Sequence, residues 1–191
     1  MDYTQARVNM VKSQAVPNMV RDPALLAGML RIPREAFVDA AYREVAYMDV
    51  PVPWSDSGRR SLTPLQTAWL IDALEVGKGS QVLVIGAGSG YEVALLSSMG
   101  ALVCALESDP DLAARGETLT SAEGVRWRVG PLAEGWSGEE KFDAILVCGA
   151  VPVIPFMVLG QLQPEGILAG IIGQAGDAVM RARKVHGGTF R

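Results

Sequence analysis

The spacing of apolar residues changes character near residue 80 of the chain. Before that point, apolar positions recur at helical spacing, and two helix-start signals are clear. Asp22-Pro23 and Thr63-Pro64 each place a capping side chain before a proline at the first helical position. We predict helices from these two pairs and a loop over residues 49–61, which are rich in proline and serine.

From residue 81 onward, short runs of β-forming residues alternate with helical segments. A continuous apolar run such as residues 144–147 is typical of a strand buried on both faces. The alternation predicts an α/β fold with a Rossmann-like, doubly wound, mainly parallel sheet. The predicted strands are 81–85, 102–106, 125–129, 142–148, 167–172 and 179–185, and the predicted helices are 91–99, 110–121 and 156–162.

Composition bounds the size and the partners of this fold. A length of 191 residues favours one domain, and 49% apolar with 20% charged residues predicts a sizeable core. The net charge of −4 makes nucleic acid a poor default partner. Because we find no basic start followed by an apolar run and no long uncharged apolar stretch, we expect no membrane segment and a cytoplasmic protein.

The scarcity of histidine and cysteine narrows the possible chemistry. One histidine, His186, cannot supply a multi-histidine metal site, and Cys104 with Cys148 cannot build a four-ligand zinc site or a disulfide scaffold. A Ser-His-Asp apparatus would rest wholly on His186, which we expect to be a surface residue of a strand. We therefore predict no metal and, for an enzyme, chemistry that avoids histidine.

The strongest local motif is VLVIGAGSGY, residues 82–91, at a predicted strand-to-helix turn. Glycines at 86, 88 and 90 allow a ligand to approach the backbone, and the following helix offers unpaired N–H groups. A dinucleotide motif would have a small residue where Tyr91 stands, which favours S-adenosylmethionine over a nicotinamide cofactor. A tight turn without any ligand is the alternative.

Glu107 strengthens the cofactor hypothesis. It ends the second predicted strand, 21 residues after Gly86, where a carboxylate can accept both ribose hydroxyls of a nucleoside. The alternative is a solvated acid at a strand end. Asp109 is better explained as the N-cap of the helix that begins at Pro110.

Several further motifs, in order along most of the chain, resemble the protein-L-isoaspartate O-methyltransferase family of class I S-adenosylmethionine-dependent methyltransferases. PREAFV at 33–38 is similar to the family segment P-R-E-x-F-V, and residues 58–68 stand where the family has G-Q-T-I-S-x-P-x-M-x-A. The other segments that fit are residues 46–53, 135–136, 142–147 and 162–168.

The resemblance implies a function and a site. It implies transfer of a methyl group from S-adenosyl-L-methionine to isoaspartyl residues of damaged proteins, by one domain over residues 1–191. Residues 1–60 would form a helical cap and substrate loop, and residues 61–191 the cofactor-binding core. The implied substrate-loop residues are Leu62 and Thr63, and the implied cofactor residues are Gly86, Ala87, Gly88, Gly90, Glu107, Ser108, Pro131, Leu132 and Cys148.

The chain departs from the family pattern mainly in the substrate loop. Leu62 stands at the family's serine, and Arg59 and Arg60 stand at its glutamine and threonine. Val84 replaces the usual acid before the glycine loop, and Gly130-Pro131-Leu132 replaces G-D-G, although an apolar pair can still pack on adenine. The family continues into a last strand beyond the position of Arg191; we expect that strand to be missing, with residues 187–190 forming the turn into it.

These departures leave three functions open: an isoaspartyl carboxyl methyltransferase, a methyltransferase of the same fold with another substrate, and a cofactor-binding protein without turnover. The side chains leave alternatives as well. Thr63 is either a helix cap or an orienting group for a carboxylate, and Arg59 with Arg60 is either a carboxylate clamp or a solvated pair. Trp54 is expected in a pocket wall, Trp69 in the core, and Cys148 either beside the cofactor or as a small buried side chain.

Overall fold

The structure is a computed structural model that describes residues 1–54, 58–173, 179–186 and 189–190, the last two ranges as backbone only. Helix α1 spans Tyr3–Met10 and continues into a π-turn and a 3-10 turn that ends at Asn18. Helix α2 spans Pro23–Arg31, and the Asp22 carboxylate accepts the Leu25 N–H at 2.8 Å. The start predicted at Asp22-Pro23 is therefore confirmed.

Helix α3 spans Pro64–Asp72 and begins at the predicted Thr63 cap. The prediction that Trp69 lies in the core is wrong, because its side chain is 37% exposed and its indole N–H donates to the Asn18 carbonyl at 2.8 Å. The buried face of this helix carries Thr67 and Ile71, which are one helical turn apart. Trp69 stands two positions after Thr67, so its side chain points away from that face.

A seven-stranded sheet follows, in the order β3-β2-β1-β4-β5-β6-β7. Strands β1 to β5 pair in parallel and β6 and β7 are antiparallel, which confirms the predicted mainly parallel, doubly wound sheet. The strands are β1 Gln81–Ile85, β2 Leu102–Glu107, β3 Val125–Val129, β4 Phe142–Val151, β5 Leu162–Ile172, β6 Val179–His186 and β7 Thr189–Phe190.

Three helices connect the parallel strands: α4 Tyr91–Ser98, α5 Pro110–Leu119 and α6 Phe156–Leu159. Asp109 caps α5 as predicted, with its carboxylate accepting the Asp111 and Leu112 N–H groups. The helix predicted over 156–162 ends earlier, because Leu162 already pairs with Phe142 as the first residue of β5. Strand β4 also continues three residues beyond its predicted end at Cys148.

The core lies on both faces of the sheet. Along β1, Val82 and Val84 pack toward the side that carries the N-terminal helices, whereas Leu83 and Ile85 pack in a second cluster with Trp136. Alternation of this kind follows from the two-residue period of a strand. Because the central strands are parallel, their carboxyl ends lie at the same edge of the sheet, and the candidate site residues follow those ends.

The last described residues, 189 and 190, fall within the turn that the sequence predicts over residues 187–190. Thr189 and Phe190 pair antiparallel with His186 and Val185 of β6, so these two residues form a short seventh strand and are not part of the predicted turn. Residues 187 and 188 lie outside the described residues, and so does the side chain of His186. Within the part of the chain that the structure describes, no helix has the length and hydropathy needed to span a membrane.

Candidate functional site

The carboxyl ends of β1, β2 and β4 bring the predicted cofactor residues together. Ile85 pairs with Leu106 on one side and with Val147 on the other. The residues that follow each partner, Gly86, Glu107 and Cys148, are therefore neighbours at one sheet edge, which is the edge where ligands bind in open α/β folds.

The three glycines of the loop after β1 adopt positive φ angles, which allow the backbone to turn sharply and to approach a ligand closely. Gly86, Gly88 and Gly90 have φ angles of +71°, +55° and +92°, a region that side chains with a Cβ rarely adopt. The N–H groups of Gly86 and Ala87 donate to the Leu106 carbonyl at 2.9 and 3.2 Å, which fixes the loop against β2. Gly90 then leads directly into α4.

Glu107 is the charged centre of the site, and its side chain is fully buried. Its carboxylate accepts the N–H groups of Gly88 and Ser108 at 2.7 Å and of Asp109 at 3.0 Å. It also accepts both Nη groups of Arg59, with Nη2 at 3.0 Å from Oε2. Burial raises the pKa of Glu107, but the hydrogen bonds from Arg59, Asp109 and Gly88 outweigh it, so the net pKa is lowered and the acid is ionised.

Arg59 is therefore neither a free clamp nor a solvated residue. Its hydrogen bond and ion pair with Glu107 raise its pKa, and its side chain is 30% exposed. It comes from the same loop as Trp54, whose indole ring lies so close to Gly88 that a Cβ there would be 2.8 Å from Cζ2. Two side chains of the substrate loop thus cover the glycine loop and the acid.

A cleft of about 910 Å³ opens beside this cover, between the substrate loop and the end of β4. Its wall includes Arg59 and an apolar run from Val151 to Pro155. Of the predicted site residues, it includes Leu62, Thr63, Gly86, Leu132 and Cys148. The other six predicted residues, Ala87, Gly88, Gly90, Glu107, Ser108 and Pro131, are not part of the wall that the described residues form.

The substrate loop differs from the prediction in its hydroxyl groups. Leu62 is buried, and its carbonyl accepts Arg34 Nη2 at 2.6 Å. The Thr63 hydroxyl accepts the Gln66 N–H at 3.2 Å within a capping box, so the helix-cap alternative describes it.

Ser61 supplies a hydroxyl that sequence reasoning missed. It lines the cleft, and its Oγ accepts the Val52 N–H at 3.0 Å. The family pattern, aligned on Pro64, has its serine at the position of Leu62, one residue after Ser61. The signal that reveals Ser61 is the pairing of residue 52 with residue 61 across the loop, which no local pattern records.

Cys148 lies in the cleft wall as a neutral thiol. Burial, followed by the negative charges of Glu92 and Glu107, raises its pKa well above the ordinary value. A thiol of this kind packs against a ligand and does not act as a nucleophile at neutral pH. The Cys148 side chain is half-buried: it packs against the core and lines the cleft, so it lies beside the candidate site without being fully buried.

The lowered pKa of Glu107 predicts a specific acid response. A carboxyl with a lowered folded-state pKa stabilises the fold above its unfolded-state pKa of about 4.3, and that contribution disappears as the pH falls through the folded-state pKa. We expect the difference in unfolding free energy between wild type and E107Q to stay constant from about pH 7 to 6 and to change in favour of E107Q below about pH 4. Urea titrations across this range measure it.

The comparison cancels the other carboxyl groups, because both proteins carry them unchanged. A difference between wild type and E107Q that does not vary with pH would contradict the assignment of a lowered pKa to Glu107.

The strand order, the glycine loop after β1 and the acid at the end of β2 define a class I methyltransferase architecture. The family model for protein-L-isoaspartate(D-aspartate) O-methyltransferase (PCMT) matches residues 5–190. The chain therefore belongs to the protein-L-isoaspartate O-methyltransferase family, which confirms the resemblance drawn from the motifs.

Curated relatives agree with the family model. Protein-L-isoaspartate O-methyltransferase of Methylorubrum populi is 39% identical over 177 residues, which cover 92% of this chain and 83% of the relative. The Syntrophotalea carbinolica protein of the same name is 36% identical over 184 residues, which cover 95% of this chain and 84% of the relative.

Solved structures support the fold. A protein-L-isoaspartate O-methyltransferase matches with a TM-score of 0.82 at 23% identity, over 95% of this chain and 60% of that one. A Plasmodium falciparum structure carrying the same family name, in complex with S-adenosyl-L-homocysteine, matches with a TM-score of 0.77 at 21% identity, over 98% of this chain and 92% of that one.

Proposed function

We propose that this protein is an S-adenosylmethionine-dependent carboxyl methyltransferase that methylates isoaspartyl residues of damaged proteins as a step in their repair. The observation that carries the proposal is the site at the sheet edge. There a glycine loop and an ionised, buried Glu107 adjoin a cleft large enough for a peptide side chain, in a chain that the family model covers from residue 5 to 190.

The residues at this edge fit the cofactor. Glu107 is an ionised acceptor suited to two ribose hydroxyls, and Leu132 offers an apolar surface for adenine beside the cleft. The positive φ angles of the glycine loop allow close approach of the amino acid part of the cofactor. We assign Gly86, Ala87, Gly88, Gly90, Glu107, Ser108, Pro131, Leu132 and Cys148 to this role.

When bound, S-adenosylmethionine supplies an activated methyl group on its sulfonium. The accepting carboxylate is ionised at neutral pH, since its pKa lies near 4, so the chain needs no general base. The protein contributes position, which is worth roughly 7–11 kcal/mol of barrier in well-aligned reactions. One histidine in the whole chain is compatible with this chemistry.

The loop that carries Leu62 and Thr63 is proposed to determine which carboxylate receives the methyl group. We assign Leu62 and Thr63 to the wall that contacts the substrate, although Leu62 brings no hydroxyl. Loss of one hydrogen bond to the substrate costs about 1–3 kcal/mol, which predicts a slower enzyme or an altered substrate preference. The hydroxyl of Ser61 in the same wall is available to offset part of that loss.

The remaining sequence predictions belong to the same proposal. We treat residues 1–191 as one methyltransferase domain, with the cap and substrate loop over 1–60 and the cofactor core over 61–191. A cytoplasmic location is supported by the two cysteines, Cys104 and Cys148, which are both free thiols.

A methyl-transfer assay with paired peptides tests the function. Full-chain protein is incubated with methyl-labelled S-adenosylmethionine and with two peptides that differ only in carrying isoaspartate or aspartate at one position. We expect base-labile label on the isoaspartyl peptide alone, because a methyl ester is hydrolysed in base. Cofactor binding without transfer to any carboxylate would contradict the proposal and favour a binding protein without turnover.

A second candidate is a methyltransferase of the same fold that acts on another carboxylate. Leu62 at the family serine position, and Arg59 and Arg60 at its glutamine and threonine, favour it. Label on a small-molecule or aspartyl carboxylate, with none on the isoaspartyl peptide, would identify this alternative.

A further inference from the structure

Arg34 is buried in the interior, where its guanidinium donates to two backbone carbonyl groups. Its exposure is 2%, and it begins the 3-10 turn Arg34–Ala36 of the PREAFV segment. Nε donates to the Ala46 carbonyl at 2.9 Å, and Nη2 donates to the Leu62 carbonyl at 2.6 Å. Because a buried charge is costly without hydrogen-bond partners, the guanidinium fixes the places of both carbonyl groups.

The two carbonyl groups stand before and after the residues that form part of the cleft wall. Ala46 follows the 3-10 helix Ala40–Val45, and Leu62 precedes the cap of α3. Between them, the Ser61 N–H donates to the Val52 carbonyl at 2.8 Å, and the Val52 N–H donates to Ser61 Oγ at 3.0 Å. One guanidinium therefore holds both ends of the chain that brings Ser61 and Leu62 to the cleft.

The same guanidinium contacts the aromatic ring that follows the glycine loop. Its central carbon lies 4.6 Å from the centroid of the Tyr91 ring, at the first residue of α4. Phe37 packs edge-on against this ring, with 5.6 Å between the centroids. The Ser89 hydroxyl donates to the Phe37 carbonyl, so the PREAFV segment contacts the glycine loop directly. Arg34 thus joins the cleft wall to the residue that follows the glycine loop, through hydrogen bonds on one side and a cation–π contact on the other.

We propose that Arg34 is a positioning residue for methyl transfer: it holds the wall that carries Ser61 and Leu62 at a fixed distance from the glycine loop. This inference rests on the proposed function, because it concerns the alignment of the accepting carboxylate with the methyl group of the cofactor. The glycine loop has a support of its own, the two hydrogen bonds to the Leu106 carbonyl of β2. Arg34 therefore acts on the substrate side of the site, and the affinity for the cofactor does not depend on it.

The first test measures initial rates with an isoaspartyl peptide in R34K. Lysine keeps the charge but has no planar group that can donate in two directions. We expect kcat/KM for the peptide to fall at least about tenfold, because a small misplacement of reacting groups costs up to about 100-fold in rate. The Kd of S-adenosyl-L-homocysteine should stay within about twofold of wild type. A structural role alone would lower the melting temperature without separating kcat/KM from Kd.

Y91L is the second variant, and it gives the same test if R34K does not fold. It removes the ring from the guanidinium and leaves both carbonyl contacts of Arg34 in place. We expect it to lower kcat/KM for the peptide in the same direction as R34K but by a smaller factor.

R115K is the matched control. Arg115 also donates to carbonyl groups of the PREAFV segment, those of Ala36 and Val38 at 3.1 and 2.6 Å. Its hydrogen bonds within the described part of the chain reach neither the cleft wall nor α4. Its kcat/KM for the peptide should equal that of wild type at a temperature where circular dichroism shows every variant to be folded.

Hydrogen exchange followed by mass spectrometry tests the physical basis without an assay of activity. In R34K, peptides that cover residues 44–48 and 60–66 should exchange faster than in wild type, because their carbonyl groups lose the guanidinium that holds them. Peptides that cover residues 84–89 should exchange at the rate of wild type, since the glycine loop keeps its hydrogen bonds to β2.

The outcomes separate this inference from the function on which it rests. Unchanged kcat/KM in both R34K and Y91L, or an equal loss in R115K, overturns the positioning role and leaves the methyltransferase proposal in place. Weaker binding of S-adenosyl-L-homocysteine to R34K, by the factor lost in kcat/KM, also overturns it. If wild type transfers no methyl group to the isoaspartyl peptide, the proposed function is overturned, and exchange alone then decides on Arg34. Faster exchange confined to the two segments supports its hold on the wall, and unchanged exchange overturns it.

Discussion

Replacing Glu107 with alanine should weaken binding of S-adenosyl-L-homocysteine by roughly 30- to 150-fold, or about 2–3 kcal/mol. The carboxylate is the proposed acceptor for the ribose hydroxyls, and hydrogen bonds to a charged group are stronger than neutral ones. Its loss also leaves the N–H groups of Gly88, Ser108 and Asp109 without their acceptor, which disturbs the loop that we assign to the cofactor site. Calorimetric titration or intrinsic fluorescence measures the affinity.

D109N is the matched control for this prediction. Asp109 lies two residues away and carries the same charge, but it caps α5, and asparagine is an equally good cap. Its affinity for S-adenosyl-L-homocysteine should equal that of wild type. Equal affinities of wild type and E107A would contradict the ribose role of Glu107.

Local patterns were sufficient to predict the scaffold and the residues that meet at the carboxyl edge of its sheet. Strand β1 follows from one apolar run, and α2 and α3 begin at capping residues followed by proline. Gly86 and Glu107 were found because the spacing between two successive parallel strands brings their carboxyl ends to one edge. The strand and the helix starts are each indicated by a few neighbouring residues, Gly86 and Glu107 are linked by a spacing of 21 residues, and hydrophobic burial then fixes the register of the strands.

Long-range contacts account for what the sequence did not reveal. Arg59 and Glu107 are 48 residues apart, and nothing near Arg59 indicates an ion pair with the acid. Trp69 was assigned to the buried side of its helix together with the neighbouring apolar residues, but its indole N–H donates to the carbonyl of Asn18, 51 residues away. Ser61 was missed because its position depends on pairing with Val52 across the loop.

Gly88→Ala should lower both the stability of the fold and its affinity for the cofactor. Gly88 has a φ of +55°, where a Cβ costs about 1 kcal/mol. The new methyl group would also stand 2.8 Å from Cζ2 of Trp54, whose side chain is 6% exposed, so a packed ring must move. Strain and overpacking together predict a loss of about 2–4 kcal/mol in unfolding free energy.

Gly79→Ala is the control that separates backbone strain from overpacking against Trp54. Gly79 has a φ of +85°, but nothing lies within 4 Å of the position that its Cβ would take. It should therefore lose about 1 kcal/mol from backbone strain, without any change in affinity for S-adenosyl-L-homocysteine. Gly88→Ala should lose more stability and at least about tenfold in affinity, because its N–H donates to Glu107 at 2.7 Å and a shifted loop weakens that contact. Equal effects of the two substitutions on stability and on binding would mean that Trp54 does not constrain the glycine loop.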